Sequence, residues 1–210
     1  MTSSLHVVVL AAGASTRLGE PKQLVRLDRR PLLHTMVSRA VALGGHAVTV
    51  VIGAHAQELA QLLRHSPASV IVNRHWREGL GSSIRTAVAS LPPACDAVLL
   101  MLADQAAVTT DDLKRLASAW NGQDGVIAVS QYSGTLGVPA IFPRWAFSDL
   151  MSVRGDRGAR AVLQHHADRL VRVPMSNAAI DIDTPEQLEE LRRSLQPEPS
   201  GEIRILPLDP

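Results

Sequence analysis

The chain has 210 residues, 46% hydrophobic but only 3% aromatic, which suits one α/β domain with an aliphatic core and excludes a surface built to stack single-stranded nucleic acid. With 21 Lys and Arg against 20 Asp and Glu the net charge is +1, so there is no electrostatic footprint for DNA or for an anionic membrane. The single cysteine, Cys95, excludes an internal disulfide and a multi-cysteine zinc site, as expected of a cytoplasmic protein, and no apolar run approaches the ~18 residues of a membrane span.

In chain order, a first buried strand is predicted over residues 5–10. It is too short and too poor in preceding Lys or Arg to be a signal peptide. Pro31 then opens a helix whose stripe is Leu32, Leu33, Met36, Val37, Ala40 and Val41. A strand over residues 47–52 is followed by a helix around Leu59, Leu62 and Leu63, and residues 70–72 form a third strand. Ile84, Ala87, Val88 and Leu91 recur at helical spacing before a strand over residues 97–102. Thr109 and Asp112 form the two ends of a capping box for a helix carrying Leu113, Leu116, Ala117 and Trp120, and residues 126–129 form the next strand.

This alternation implies βαβ crossovers and a mostly parallel sheet with helices on both faces, an α/β three-layer sandwich of Rossmann-like type. From residue 131 the rhythm changes. Residues 132–142 are extended and punctuated by Gly134, Gly137 and Pro139, with two short helices over 144–151 and 157–166 and strands over 170–173 and 179–182. Thr184, Pro185 and Gln187 signal a last helix facing inward through Leu188, Leu191 and Leu195. One domain is expected over residues 1–196, followed by a Pro-rich tail over 197–210.

The strongest motif follows the first strand: Leu10-Ala11-Ala12-Gly13-Ala14-Ser15-Thr16-Arg17-Leu18-Gly19-Glu20-Pro21-Lys22. Small residues at the C-terminal end of a parallel strand let backbone N–H groups approach a phosphate, while Arg17 and Lys22 add charge. A P-loop would need Gly-Lys-Ser/Thr, and a dinucleotide fingerprint would need G-x-G-x-x-G running straight into a helix; neither is present. A second segment runs from Asn73 through Gly79, Gly81, Ser82 and Ser83 into a helix. Its free N–H groups suit an anion or a base edge, although a serine there also serves as a plain cap. Asp104 ends an apolar strand on the same sheet edge, where a carboxylate serves either to form a turn or to give a hard cation an oxygen ligand.

Together these segments resemble the MobA-like branch of the Rossmann-like nucleotidyltransferases, which includes molybdenum cofactor cytidylyltransferases and guanylyltransferases. Gly13, Arg17, Leu18, Pro21 and Lys22 match the branch's loop, while Ser15 replaces a glycine and Ala106 a proline. The resemblance implies catalytic Arg17 and Lys22, with nucleotide contacts from Leu10, Ala11, Ala12, Gly13, Asn73, Gly81, Ser82 and Ser83. It also implies acceptor contacts from Gly137, Pro139, Asp156 and Arg160, and Mg²⁺ held by Asp104 and a second carboxylate, Asp183 in preference to Asp181.

The implied reaction is transfer of CMP from CTP to a molybdopterin-type phosphorylated acceptor with release of pyrophosphate, a molybdoenzyme being the client for the product. Two alternatives are nucleotidyl transfer to a sugar or polyol phosphate, and a non-catalytic chaperone for nucleotide or cofactor. The implied base is cytosine, because in this branch Ala-Ala-Gly loops accompany cytidine and Ala-Gly-Gly loops guanine. A methyl at Ala12 would narrow the slot against a purine.

Overall fold

Every residue of β1 (Leu5–Ala11) is buried, because the strand lies at the middle of a sheet covered on both faces. A computed structural model describes residues 4–15, 18–27, 29–180, 187 and 189. A short ribbon of β2 (Arg26–Leu27) and β3 (Arg30–Pro31) leads into α1 (Leu32–Ala42). Pro31 stands one position before that helix, extended at ψ 139°, and not within its first turn as expected. There follow β4 (Ala47–Ile52), α2 (Ala56–Leu62), β5 (Ser69–Val72), α3 (Leu80–Ala89), β6 (Ala97–Leu102) and α4 (Thr110–Trp120). The Thr109–Asp112 capping box is formed in both directions.

The second half holds β7 (Ile127–Tyr132), β8 (Thr135–Pro143), α5 (Phe147–Ser152), α6 (Arg160–His165) and β9 (Leu170–Pro174). Both short helices begin later than expected, each after a 3-10 turn, Arg144–Ala146 and Gly155–Arg157. Residue 179, expected to open a strand, closes the 3-10 turn Ser176–Ala179. Residues 181–186, most of the expected last helix and the tail lie outside the described residues.

The seven-stranded sheet has the order β5-β4-β1-β6-β8-β7-β9. All neighbours are parallel except that β8 runs against both β6 and β7. The reversal comes from a tight hairpin: Ser133 and Gly134 carry φ of 47° and 72°, the left-handed pair that matches strand twist in a two-residue turn. Alternate side chains serve opposite faces. Val7 and Val9 of β1, with Leu99 and Met101 of β6, pack towards α1, α2 and α4. Val8 and Leu10, with Val98 and Leu100, pack towards α3, α5 and α6. The result is the expected three-layer sandwich, whose C-terminal strand ends are left free to carry a site. Among the described residues no helix is long and apolar enough to cross a membrane.

Candidate active site

A cavity of about 510 Å³ opens at the C-terminal ends of β1 and β6. The loop from Ala11 to Ser15 forms one wall, Leu102 to Asp104 another, and Trp76, Arg77, Gly79, Leu80 and Ser83 the side beyond β5. The loop is held by a side chain that sequence reasoning did not single out. Gln23 is buried and donates its amide to the carbonyls of Ala11 (3.0 Å) and Gly13 (2.9 Å). Ser15 Oγ accepts the Lys22 amide at 3.0 Å, so the segment folds back on itself and brings Lys22 into the cavity.

Lys22 Nζ lies 3.2 Å from Asp104 Oδ2, with side-chain exposures of 13% and 28%, so the pair is only partly screened. The other carboxylate oxygen, Asp104 Oδ1, is buried and has no hydrogen-bond partner. An ionised oxygen in that situation is costly unless a cation completes it, so the donor chemistry fits a hard divalent ion. Among the described residues no group of three His, Cys, Asp or Glu side chains could hold a metal by itself.

On the far side, Asn73 is buried and donates to Ser82 Oγ (2.8 Å) and Ser83 Oγ (3.0 Å), while its Oδ1 accepts the His75 amide at 2.9 Å. Ser82 Oγ in turn donates to the Gly79 carbonyl at 2.8 Å. This network anchors the start of α3. Gly79 has a φ of +91° and lies directly against the Asp156 side chain, where a Cβ would collide. Asp156 thereby becomes a common wall between the first cavity and a second one of about 590 Å³. The second has an apolar floor of Leu10, Leu80, Ile84, Leu102, Val138 and Leu163, and Tyr132, Gly137, Arg157 and Arg160 also line it.

The loop after Asp104 is braced from below. Buried Gln105 donates to the carbonyls of Val138 (2.8 Å) and Ala178 (3.0 Å), joining β8 and the last described turn to the end of β6. Arg39 of α1 donates to the carbonyls of Ala106 (2.6 Å) and Val108 (2.8 Å). Burial lowers the Arg39 pKa, against the attraction of Asp112. For Asp112 itself burial acts to raise the pKa, but hydrogen bonds from Asn177, Thr109 and Arg115 outweigh it and hold the carboxyl below its ordinary value.

Of the residues expected in the site, Leu10, Ala11, Ala12, Gly13, Lys22, Ser83 and Asp104 meet around the first cavity. Gly137, Asp156 and Arg160 meet around the second. Asn73, Gly81 and Ser82 stand behind the cavity wall, Gly81 against the Arg154 backbone, and buried Pro139 accepts the Ser130 hydroxyl at 2.6 Å. Arg17, Asp181 and Asp183 lie outside the described residues. The additions are Gln23, Trp76 and Arg77. Trp76 had a signal, one of three tryptophans in a chain with few aromatics. Gln23 had none, since only the folded loop shows which carbonyls need it.

Comparison with known proteins agrees with this geometry. Residues 7–170 match the family model of the MobA-like NTP transferase domain. Nicotine blue oxidoreductase of Paenarthrobacter nicotinovorans is 30% identical over 195 residues, covering 88% of this chain and 94% of the relative. Purine catabolism protein PucB of Bacillus subtilis is 29% identical, covering 90% and 96%. The crystal structure of Rv0371c from Mycobacterium tuberculosis H37Rv superposes with a TM-score of 0.78 at 26% identity, covering 92% of this chain and all of that one, and Rv0371c has also been solved in complex with manganese. The sheet and the family match agree, and the protein thus belongs to the MobA-like NTP transferase family, a family of nucleotidyltransferases.

Proposed function

We propose that the protein transfers CMP from CTP to a molybdopterin-type phosphorylated acceptor and releases pyrophosphate. The observation that carries this reading is the pair of adjoining cavities sharing Leu10, Leu80, Leu102 and Asp156, one holding a lysine and a half-partnered carboxylate, the other floored by aliphatic side chains. The triphosphate belongs with the loop amides and Lys22. The acceptor belongs in the second cavity, whose apolar floor favours a flat ring system over a sugar or polyol phosphate.

An acceptor phosphate oxygen attacks the α-phosphorus in line, a new P–O bond forms, and the bond to pyrophosphate breaks. The nucleophile is already ionised, so no general base is required. Lys22 and Arg17 stabilise charge on the triphosphate, and Arg160 and Arg157 are available to the acceptor phosphate. Asp104, with Asp183, would hold a divalent ion such as Mg²⁺, and that ion would supply Lewis-acid neutralisation of phosphate charge. The manganese complex of Rv0371c supports use of a divalent ion. The oxidoreductase name of one relative finds no support in the β1 loop. That loop leads into the 3-10 turn Lys22–Leu24, and α1 begins only at Leu32, so it lacks the helix entry of a dinucleotide fold.

The test is pyrophosphate release from CTP with a pterin phosphate, with erythritol phosphate or a sugar phosphate as competing acceptors. Turnover with the pterin alone is expected, abolished in Asp104→Ala and Asp183→Ala and less affected in Asp181→Ala. Turnover with the polyol would move the assignment to the second acceptor class. Tight CTP binding without turnover on any acceptor would indicate a chaperone.

A further inference from the structure

Gln105 follows Asp104 directly and is buried, yet its amide is only half satisfied. The nitrogen donates to the carbonyls of Val138 (2.8 Å) and Ala178 (3.0 Å), while the oxygen, Oε1, is buried with no hydrogen-bond partner among the described residues. A buried polar atom in that state lowers stability, and an apolar side chain of similar length would avoid the cost. The donor end therefore points to a duty beyond folding. Val138 lines the second cavity with Gly137 and Tyr132, whereas Asp104 lines the first. The backbone ladder between β6 and β8 ends at Leu100 and Ala140, short of both walls, so the Gln105–Val138 bond carries the tie on where strand pairing has stopped. Both ends of that tie are firm. The Val138 carbonyl also accepts the Tyr132 hydroxyl at 3.3 Å, and a Cβ at Gly137 would collide with that hydroxyl, so a shift at Val138 is passed on to the cavity wall. On the other side the turn after Asp104 is tightly wound, the Ala106 amide donating to the Asp104 carbonyl at 2.8 Å and the Val108 amide to the Gln105 carbonyl at 3.0 Å.

Resting on the reading of the first cavity as the triphosphate site and the second as the acceptor site, we propose that Gln105 is a positioning residue that sets the distance between the Asp104 carboxylate and the acceptor wall. It acts through Val138 and Asp104, and so keeps the acceptor phosphate in line with the α-phosphorus. Without the tie each cavity still takes its own ligand, but the two reacting groups no longer meet in register. Alignment of that kind governs rate far more than affinity.

The test compares Gln105→Met, close in length but without the amide, with Gln105→Asn, whose amide is one methylene shorter, and with Arg39→Met. Arg39 braces the same loop at the Ala106 and Val108 carbonyls from α1 and makes no bond to β8, so it serves as the control for loosening of the loop alone. Four quantities are read: melting temperature, Mn²⁺ binding by electron paramagnetic resonance, CTP binding, and kcat for pyrophosphate release with whichever acceptor turns over. Gln105→Met should melt close to the wild type, since it removes the orphan Oε1 as it strands the Ala178 carbonyl, and Val138 keeps Tyr132. It should bind Mn²⁺ and CTP as the wild type does and lose ~10²-fold in kcat, the scale of a small misplacement of reacting groups. Gln105→Asn should show the same split with a smaller loss, and Arg39→Met should lower the melting temperature and spare kcat. Wild-type kcat in both Gln105 variants would overturn the proposal. So would a parallel loss of Mn²⁺ and CTP binding, which would confine Gln105 to the first cavity, or an equal kcat loss in Arg39→Met. Turnover of the wild type on a polyol or sugar phosphate alone would overturn the acceptor reading and leave this inference testable on that substrate; CTP binding with no turnover on any acceptor would sink both.

Discussion

Lys22 and Gln23 are neighbours with opposite duties. Lys22 projects into the cavity, so Lys22→Ala should keep the wild-type melting temperature and lower pyrophosphate release by at least ~10²-fold, the scale of losing one preorganised charge. Near-normal turnover would remove it from the mechanism. Gln23 faces inward, and Gln23→Ala leaves the carbonyls of Ala11 and Gly13 without their donor. Each buried orphan costs about 1–3 kcal/mol, so thermal denaturation should show a clear loss of stability and CTP titration a weaker phosphate loop. Unchanged stability would mean that water replaces the amide. Lys22, Asp104 and Ser83, which line the first cavity, could be picked out from motif and spacing. Gln23 and the bracing role of Asn73 could not, because both depend on partners that only folding brings near.

At the scale of elements, the parallel half of the sheet was readable because buried strands leave uninterrupted aliphatic runs and their helices leave stripes. The β7–β8 hairpin was not, since an extended, glycine-punctuated stretch does not say with which strand it pairs or in which direction. One strand also carries a pH signature. His6 of β1 is buried and hydrogen-bonded to Thr49 of β4 at 2.8 Å, and burial lowers its pKa from 6.5. The unfolded chain binds a proton near pH 6.5, whereas the folded chain resists it until lower pH. Stability is therefore full above about pH 6.5 and falls as pH drops towards the lowered folded value, by at most about 1.4 kcal/mol per pH unit. Melting temperatures measured between pH 8 and 5 should decline in the wild type below 6.5, and less steeply in His6→Leu/Thr49→Val. Equal slopes would assign the acid sensitivity elsewhere. Asp112 acts later on the same scale. Its lowered pKa adds stability that is lost only as pH falls below its ordinary value of 3.8.

For the whole molecule, the domain boundary proposed at residue 196 rests on sequence alone: residues 197–210 hold four prolines and no periodic apolar face. Truncation after 196 should change the melting temperature little, and a large drop would place that segment in the core or in a subunit interface. The shared wall of the two cavities reaches further, into kinetics. A nucleotide joined to its acceptor through a diphosphate would occupy both compartments at once, each half tethered beside its own subsite. Tethering turns the second contact into an intramolecular one, so the product should be held more tightly than either substrate. The enzyme would then be throttled by what it makes. The product should compete with both CTP and acceptor, a pre-steady-state burst of pyrophosphate should precede a slow steady rate, and a client that takes the product away should speed turnover without touching the chemistry.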